Sequence, residues 1–232
     1  MYKGCIFDLD GTLTDTLESL VYSVNATLKE LGLAQISANQ CKPLVGNGAR
    51  NLVERSLRLA GDTNAERIEE AMTIHGRIFE KYCTYHVAPY EGIVDMLQEL
   101  KKQGVRLVVL SNKPHLRTMD VVATSFEEGT FFRVYGQREG VPRKPDPTAV
   151  HMILEELGVS REECLYIGDS EVDIMTGCAA GVSTVGVTWG FRNREVLIEH
   201  GATYVVDRPA EIISIVKEHS ESGEDYGKTS GA

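Results

Sequence analysis

The chain opens with a short apolar run, Gly4-Cys5-Ile6-Phe7, cut off by Asp8-Leu9-Asp10-Gly11-Thr12-Leu13-Thr14-Asp15-Thr16. No other feature constrains the fold as strongly. The apolar run reads as a buried strand. Two carboxylates spaced by one residue leave a strand on the same side. A Gly-Thr turn follows at once, so both carboxylates fall where the strand stops and the chain becomes exposed. One can attack an electrophile while the other moves protons, and together they can hold a hard divalent cation. A DxD at a strand end can also do no more than cap a turn; the length of the string speaks for chemistry.

Further strand-like runs recur at 105–111, 131–135, 165–168, 183–187 and 203–206. Helical patterns separate most of them. Ile93, Val94, Met96, Leu97 and Leu100 have helical spacing, and so does 149–157, which Gly158 ends. Alternating strands and helices predict an α/β fold: a doubly wound parallel sheet, Rossmann-like, covered on both faces. In such sheets the site lies at the carboxyl ends of the strands. Residues 16–86 break the alternation. They hold no strand pattern but read as helices over 17–31, 51–60 and 65–82. This predicts a helical cap inserted just after the DxD turn, with 1–15 and 87–217 forming the core. The Ser-, Gly- and Glu-rich stretch 218–232 is expected to be a disordered tail.

The net charge of −10 argues against nucleic acid or an anionic membrane as a partner bound through bulk charge. No apolar run approaches the roughly 18 residues that span a bilayer. Asp8 and Asp10 interrupt any leader-like apolar segment, and a cytoplasmic location is expected. The five cysteines form no CxxC or Cys/His cluster and read as reduced packing residues. None of the six histidines pairs at metal-ligand spacing, and all read as surface or helix residues.

Three more strand ends carry polar residues. Val108-Val109-Leu110 runs into Ser111-Asn112-Lys113, where a hydroxyl and backbone N–H groups can hold phosphate oxygens, or simply make a turn. Lys144 sits between prolines in Pro142-Arg143-Lys144-Pro145-Asp146-Pro147, either placed to offset phosphoryl charge or in a solvated helix-entry loop. Leu165-Tyr166-Ile167 runs into Gly168-Asp169-Ser170-Glu171-Val172-Asp173. One carboxylate there can bind a cation and the other hold its surroundings, while Asp169 or Ser170 can cap a helix.

These four elements in this order resemble the haloacid dehalogenase-like hydrolase superfamily over residues 3 to 216. The first motif matches the phosphatase form, and Asp10 counts against the dehalogenase branch. The resemblance implies that Asp8 is the nucleophile and Asp10 the acid–base. It implies that Ser111, Asn112 and Lys144 hold the phosphate. It further implies that Mg²⁺ is held by Asp8, Asp169 and the Asp10 backbone carbonyl, with Asp173 orienting the metal shell. In the cap, Pro43-Leu44-Val45-Gly46-Asn47-Gly48-Ala49-Arg50 resembles the phosphoglycolate phosphatase branch. Gly46, Asn47 and Gly48 are then expected to form an anion-favouring loop, with Arg50 pairing with a substrate carboxylate or remaining a solvated helix charge. Arg192 and Arg194 can line the rim or lie on the surface.

The implied activity is Mg²⁺-dependent hydrolysis of a small phosphorylated metabolite, 2-phosphoglycolate, through an aspartyl-phosphate. Rival readings on the same machinery are an inorganic pyrophosphatase, a sugar-phosphate phosphatase or a phosphomutase. A non-catalytic binding protein is the rival from another class. The oligomeric state is left open.

Overall fold

The computed structural model describes residues 1–224. The chain runs through β1 (Gly4–Phe7) and β2 (Thr14–Asp15) into four helices, α1 (Leu17–Glu30), α2 (Ala38–Cys41), α3 (Ala49–Leu59) and α4 (Ile68–Tyr82). It returns through β3 (Ala88–Pro89) and α5 (Ile93–Lys102) to β4 (Arg106–Pro114), α6 (His115–Ser125), β5 (Arg133–Gln137) and α7 (Thr148–Leu157). It then continues through β6 (Cys164–Gly168), α8 (Glu171–Ala180), β7 (Ser183–Val187), α9 (Arg194–Glu199), β8 (Tyr204–Val206) and α10 (Ala210–Glu224). No helix among the described residues is long and apolar enough to cross a membrane.

The six core strands form one parallel sheet in the order β5-β4-β1-β6-β7-β8. This is the doubly wound α/β architecture expected. β1 lies between β4 and β6, with Phe7 level with Val109 and Ile167. Its residues are all buried, which explains why it reads as an unbroken apolar run. The two-residue period divides the strands between two layers. Cys5, Phe7, Leu107, Val109, Leu165 and Ile167 pack with Ile93, Met96 and Leu97 of α5 and with Ile212 and Val216 of α10. Ile6, Val108, Leu110 and Tyr166 pack on Val150, Ile153 and Leu157 of α7.

Helices α1, α3 and α4 enclose an apolar cluster of their own, including Leu20, Val24, Leu28, Leu52, Leu57 and Phe79. Phe191, from the loop after β7, is the core residue that enters it. Where the chain leaves for this helical unit and where it returns, β2 and β3 pair antiparallel, Thr14 opposite Pro89. Two-residue strands carry no periodicity, so this pair was invisible in the pattern.

Three elements depart from expectation. β4 continues to Pro114, so Asn112 and Lys113 lie on extended backbone rather than in a turn. β5 starts at Arg133, and Phe131 lies outside it, stacked edge-on against Phe126 at 5.3 Å. Its hydrophobicity serves packing, not strand pairing. α10 runs to Glu224, so 218–224, expected in the tail, are helical. Val216 anchors the helix in the core, and extending an existing helix costs far less than starting one. The rest of the expected tail, 225–232, lies outside the described residues.

Candidate active site

Asp8 follows the last residue of β1, and its N–H donates to Ile167 O at 2.9 Å, continuing the ladder by one step. Asp169 leaves β6 beside it. Its Oδ1 accepts from Thr12 Oγ1 (3.1 Å) and its Oδ2 from the Phe191 N–H (2.7 Å). Asp173, in the first turn of α8, reaches back to accept from the N–H and hydroxyl of Ser170 at 3.2 and 2.6 Å. Gly11 makes this packing possible. Its φ is +84°, and a Cβ there would lie 2.4 Å from Asp169 Oδ2. Gly190 is as constrained, since a Cβ would meet Gly11 O at 2.3 Å.

Oxygens of Asp8, Asp169 and Asp173 lie within 4.8 Å of one another, and all three residues are buried. Lys144 supplies the balancing charge. Its Nζ donates to Asp173 Oδ1 (2.7 Å) and Leu110 O (3.2 Å), and pairs with Asp8 Oδ1 at 2.9 Å, in a geometry short of a directed hydrogen bond. One ammonium does not compensate three buried carboxylates. Burial, then the neighbouring Asp173 charge, raises the Asp8 carboxyl to about 7 against the pull of Lys144. Burial, then Asp173 and Asp8, raises Asp169 as well. Burial would lower the Lys144 ammonium, but Asp173 and Asp8 overcome this and hold it well above its ordinary value. Crowded hard oxygens that resist ionising together are the donor set a divalent cation would discharge. The side-chain cluster does not include Asp10.

Asp10 instead faces a cleft between the sheet and the helical unit. The cleft is lined on the core side by Asp8, Asp10, Ser111, Asn112, Lys113, Asp169 and Ser170. Gly46, Gly48, Leu52, His75 and Phe79 line the other side. The cavity between them is about 40 Å³.

Two of the sequence-predicted cap residues are absent from this lining. Arg50 lies on the outer face of α3, paired through both terminal guanidinium nitrogens with Glu69 of α4, and its side chain is half exposed. Helical geometry decides this. Leu52 and Val53 are buried, so the helix is turned with Arg50 towards solvent. Asn47 is held through its backbone carbonyl, which accepts from Arg143 Nη1. Asn112, expected to hold phosphate, has its side chain committed elsewhere. Its Nδ2 donates to Gly46 O (3.0 Å) and Lys144 O (3.1 Å), and its Oδ1 accepts from the Lys144 N–H (3.0 Å).

The helical unit is thereby grasped at three successive carbonyls. Arg192 Nη2 donates to Val45 O (2.9 Å), Asn112 Nδ2 to Gly46 O (3.0 Å), and Arg143 Nη1 to Asn47 O (3.2 Å). Each donor comes from a different segment of the core: Arg192 and Arg143 from loops, Asn112 from β4. Arg192 also pairs with Glu171 at 2.7 Å. It is not a plain surface residue, whereas Arg194 lies exposed against Asp207.

Sequence reasoning passed over Lys113, His75 and Phe79. Lys113 is buried and donates to Asp10 Oδ1 at 2.9 Å, with its ammonium 4.8 Å from the centre of the Phe79 ring. Local alternation does not place it, because the register of β4 against β5 shifts between Leu110 and Pro114, although Ser111 and Lys113 both line the cleft. His75, expected among surface or helix residues, stacks on Phe79 one helical turn away and is 2 % exposed. Burial, then the Lys113 charge, lowers its pKa to about 4, so the ring is neutral.

A family model described as haloacid dehalogenase-like hydrolase matches residues 5–187. The chain belongs to the haloacid dehalogenase-like hydrolases. Among curated relatives of this hydrolase, a phosphoglycolate phosphatase of Colwellia psychrerythraea is 31% identical over 91% of this chain and 96% of its own length. One of Pseudomonas putida is 33% identical over 87% of this chain and 75% of its own. A solved structure from Lactobacillus delbrueckii subsp. bulgaricus, provisionally assigned as a phosphoglycolate phosphatase, superposes with a TM-score of 0.84 at 30% identity. It covers 93% of this chain and 98% of that one. CbbY of Rhodobacter sphaeroides, in complex with xylulose-(1,5)-bisphosphate, shares the fold with a TM-score of 0.74 at 23% identity, over 91% of this chain and 96% of that one. This hydrolase is a phosphatase, a phosphoric monoester hydrolase like its curated relatives.

Proposed function

We propose that the enzyme hydrolyses 2-phosphoglycolate, with Mg²⁺ as cofactor, through an aspartyl-phosphate on Asp8. The observation that carries this reading is Asp8 at a strand end, with Asp10 two residues on, facing buried Asp169, Asp173 and Lys144. Asp8 attacks phosphorus in line with the leaving alkoxide, forming the Asp8 Oδ–P bond as the ester P–O bond breaks. Asp10 gives its proton to that alkoxide. It then takes a proton from the water that attacks the acyl phosphate, which releases inorganic phosphate and restores Asp8. Asp8, Asp169 and the Asp10 carbonyl would hold Mg²⁺, which when bound supplies charge neutralisation between a carboxylate nucleophile and a phosphate dianion. Asp173 holds Lys144 and orients that shell. Lys144 and Ser111 hold the transferring oxygens.

We further take the helical unit 16–86 to act as a lid that selects substrate. Apolar Leu52 and Phe79 on the lid side of the cleft support a substrate without sugar hydroxyls. The curated relatives named above are phosphoglycolate phosphatases.

The test is phosphate release from 2-phosphoglycolate, ethyl phosphate, pyrophosphate and hexose phosphates, in Mg²⁺ and in excess chelator. Metal-dependent hydrolysis with the highest kcat/KM on 2-phosphoglycolate is expected. A higher kcat/KM on pyrophosphate or a hexose phosphate would overturn the substrate, and phosphoryl exchange without net release would point to a mutase.

A further inference from the structure

Of the charged groups around the cleft, most are already engaged. Lys144 has three N–H donors, and three oxygens, on Asp173, Leu110 and Asp8, surround it at 2.7 to 3.2 Å. Arg143 holds Asn47 O, Arg192 holds Glu171 and Val45 O, and Arg50 faces solvent against Glu69. Among the described residues that line the cleft, Lys113 alone carries a permanent positive charge. Its ammonium is buried, gives one hydrogen bond to Asp10, and lies against the Phe79 ring. Donor capacity remains on a cation at the junction of sheet and helical unit. On the opposing side the lining is apolar apart from neutral His75.

We propose that Lys113 reads a second anionic group, a carboxylate, on the phosphorylated substrate. This inference rests on the phosphatase reading and deepens it, since it assigns to a core residue the recognition that Arg50 was expected to provide. The carboxylate accepts from Lys113 Nζ while Asp10 keeps its own hydrogen bond to the same ammonium. One lysine thus registers the substrate's acid end and holds the acid–base carboxylate against the leaving oxygen. The low polarity of the surroundings strengthens the contact and penalises a substrate that brings hydroxyls instead.

The experiment is a calorimetric titration in saturating Mg²⁺ with two phosphonates of equal length, 3-phosphonopropionate and propylphosphonate. They differ in a carboxylate against a methyl. The wild-type enzyme is expected to bind the carboxylate compound about tenfold tighter or more, the range of a charge-assisted hydrogen bond. Lys113→Met should bring that ratio to near one, and Lys113→Arg should keep part of it. Lys113→Gln, which retains a donor without the charge, is read the same way if the methionine variant does not fold. A wild-type ratio near one overturns the proposal. So does a Lys113→Met enzyme that binds both compounds more weakly by the same factor, which would leave Lys113 as a positioning residue for Asp10. If 2-phosphoglycolate is not the preferred ester but the phosphonate ratio behaves as expected, the named substrate fails and Lys113 stands.

Discussion

The two sides of the cleft are built on different principles. The core side is a set of strand ends. Asp8, Ser111 and Asp169 lie towards the carboxyl ends of adjacent parallel strands; hydrogen bonds fix the Asp169 and Asp173 carboxylates, and Lys144 pairs with Asp8. The opposing side is a helical unit with its own apolar cluster, hung from the core by donors on Arg192, Asn112 and Arg143. Chemistry that needs atoms held to a fraction of an ångström sits on the sheet. On the proposed reading, admission and release of substrate fall to the helical unit, which a few hydrogen bonds hold to the core without joining the two clusters.

Removing the proposed nucleophile should produce the largest effect. Asp8→Asn should lower kcat by on the order of 10³- to 10⁶-fold. The carboxyl it replaces is held near 7, above its ordinary value, so it lowers stability progressively as the pH rises from that ordinary value to about 7, and the full penalty is present above it. The variant's metal-free melting temperature should therefore be no lower than the parent's at pH 8. A near-normal kcat, followed by phosphate release, would end the covalent mechanism. Loosening the opposing side should cost less. Arg192→Ala removes the bond to Val45 O and should raise KM for any ester by roughly three- to thirtyfold, about one to two hydrogen bonds' worth, with kcat less affected. Equal losses in kcat would place Arg192 with the chemistry instead of the docking. Arg50→Ala should have the smallest effect. An exposed pair with Glu69 predicts kinetics within about twofold of the parent on 2-phosphoglycolate. A selective rise in KM on that substrate would return Arg50 to the site and weaken the case for Lys113.

The legibility of the molecule follows the same division. β1, β6 and β7 were readable because a parallel strand buried on both faces is a continuous apolar run, and Asp8, Asp10 and Asp169 because they stop such runs. Lys144 was readable through the prolines that flank it. On the cap side, periodicity located α1, α3 and α4 but not their rotation about their axes. Arg50 and His75 exchanged roles for that reason: a charge expected in the site faces water, and a histidine expected among surface or helix residues lines it. Asn112 was assigned to phosphate because it follows Ser111, yet its amide ties Lys144 to the Gly46 carbonyl. Partners 32 and 66 residues away leave no local trace.

The sequence by itself determined the parallel sheet, the carboxyl-end site, the aspartate set and the helical insertion. Each of these rests on short-range rules: strand alternation, helical spacing, and polar residues at the end of an apolar run. Only the tertiary structure decided which face of the insertion meets the site, that Lys113 and not Arg50 supplies the cation beside Asp10, and that three core side chains hold three successive carbonyls. Those outcomes depend on contacts between segments far apart in the chain, where the burial of one whole apolar face, not the preference of any residue on it, sets the orientation.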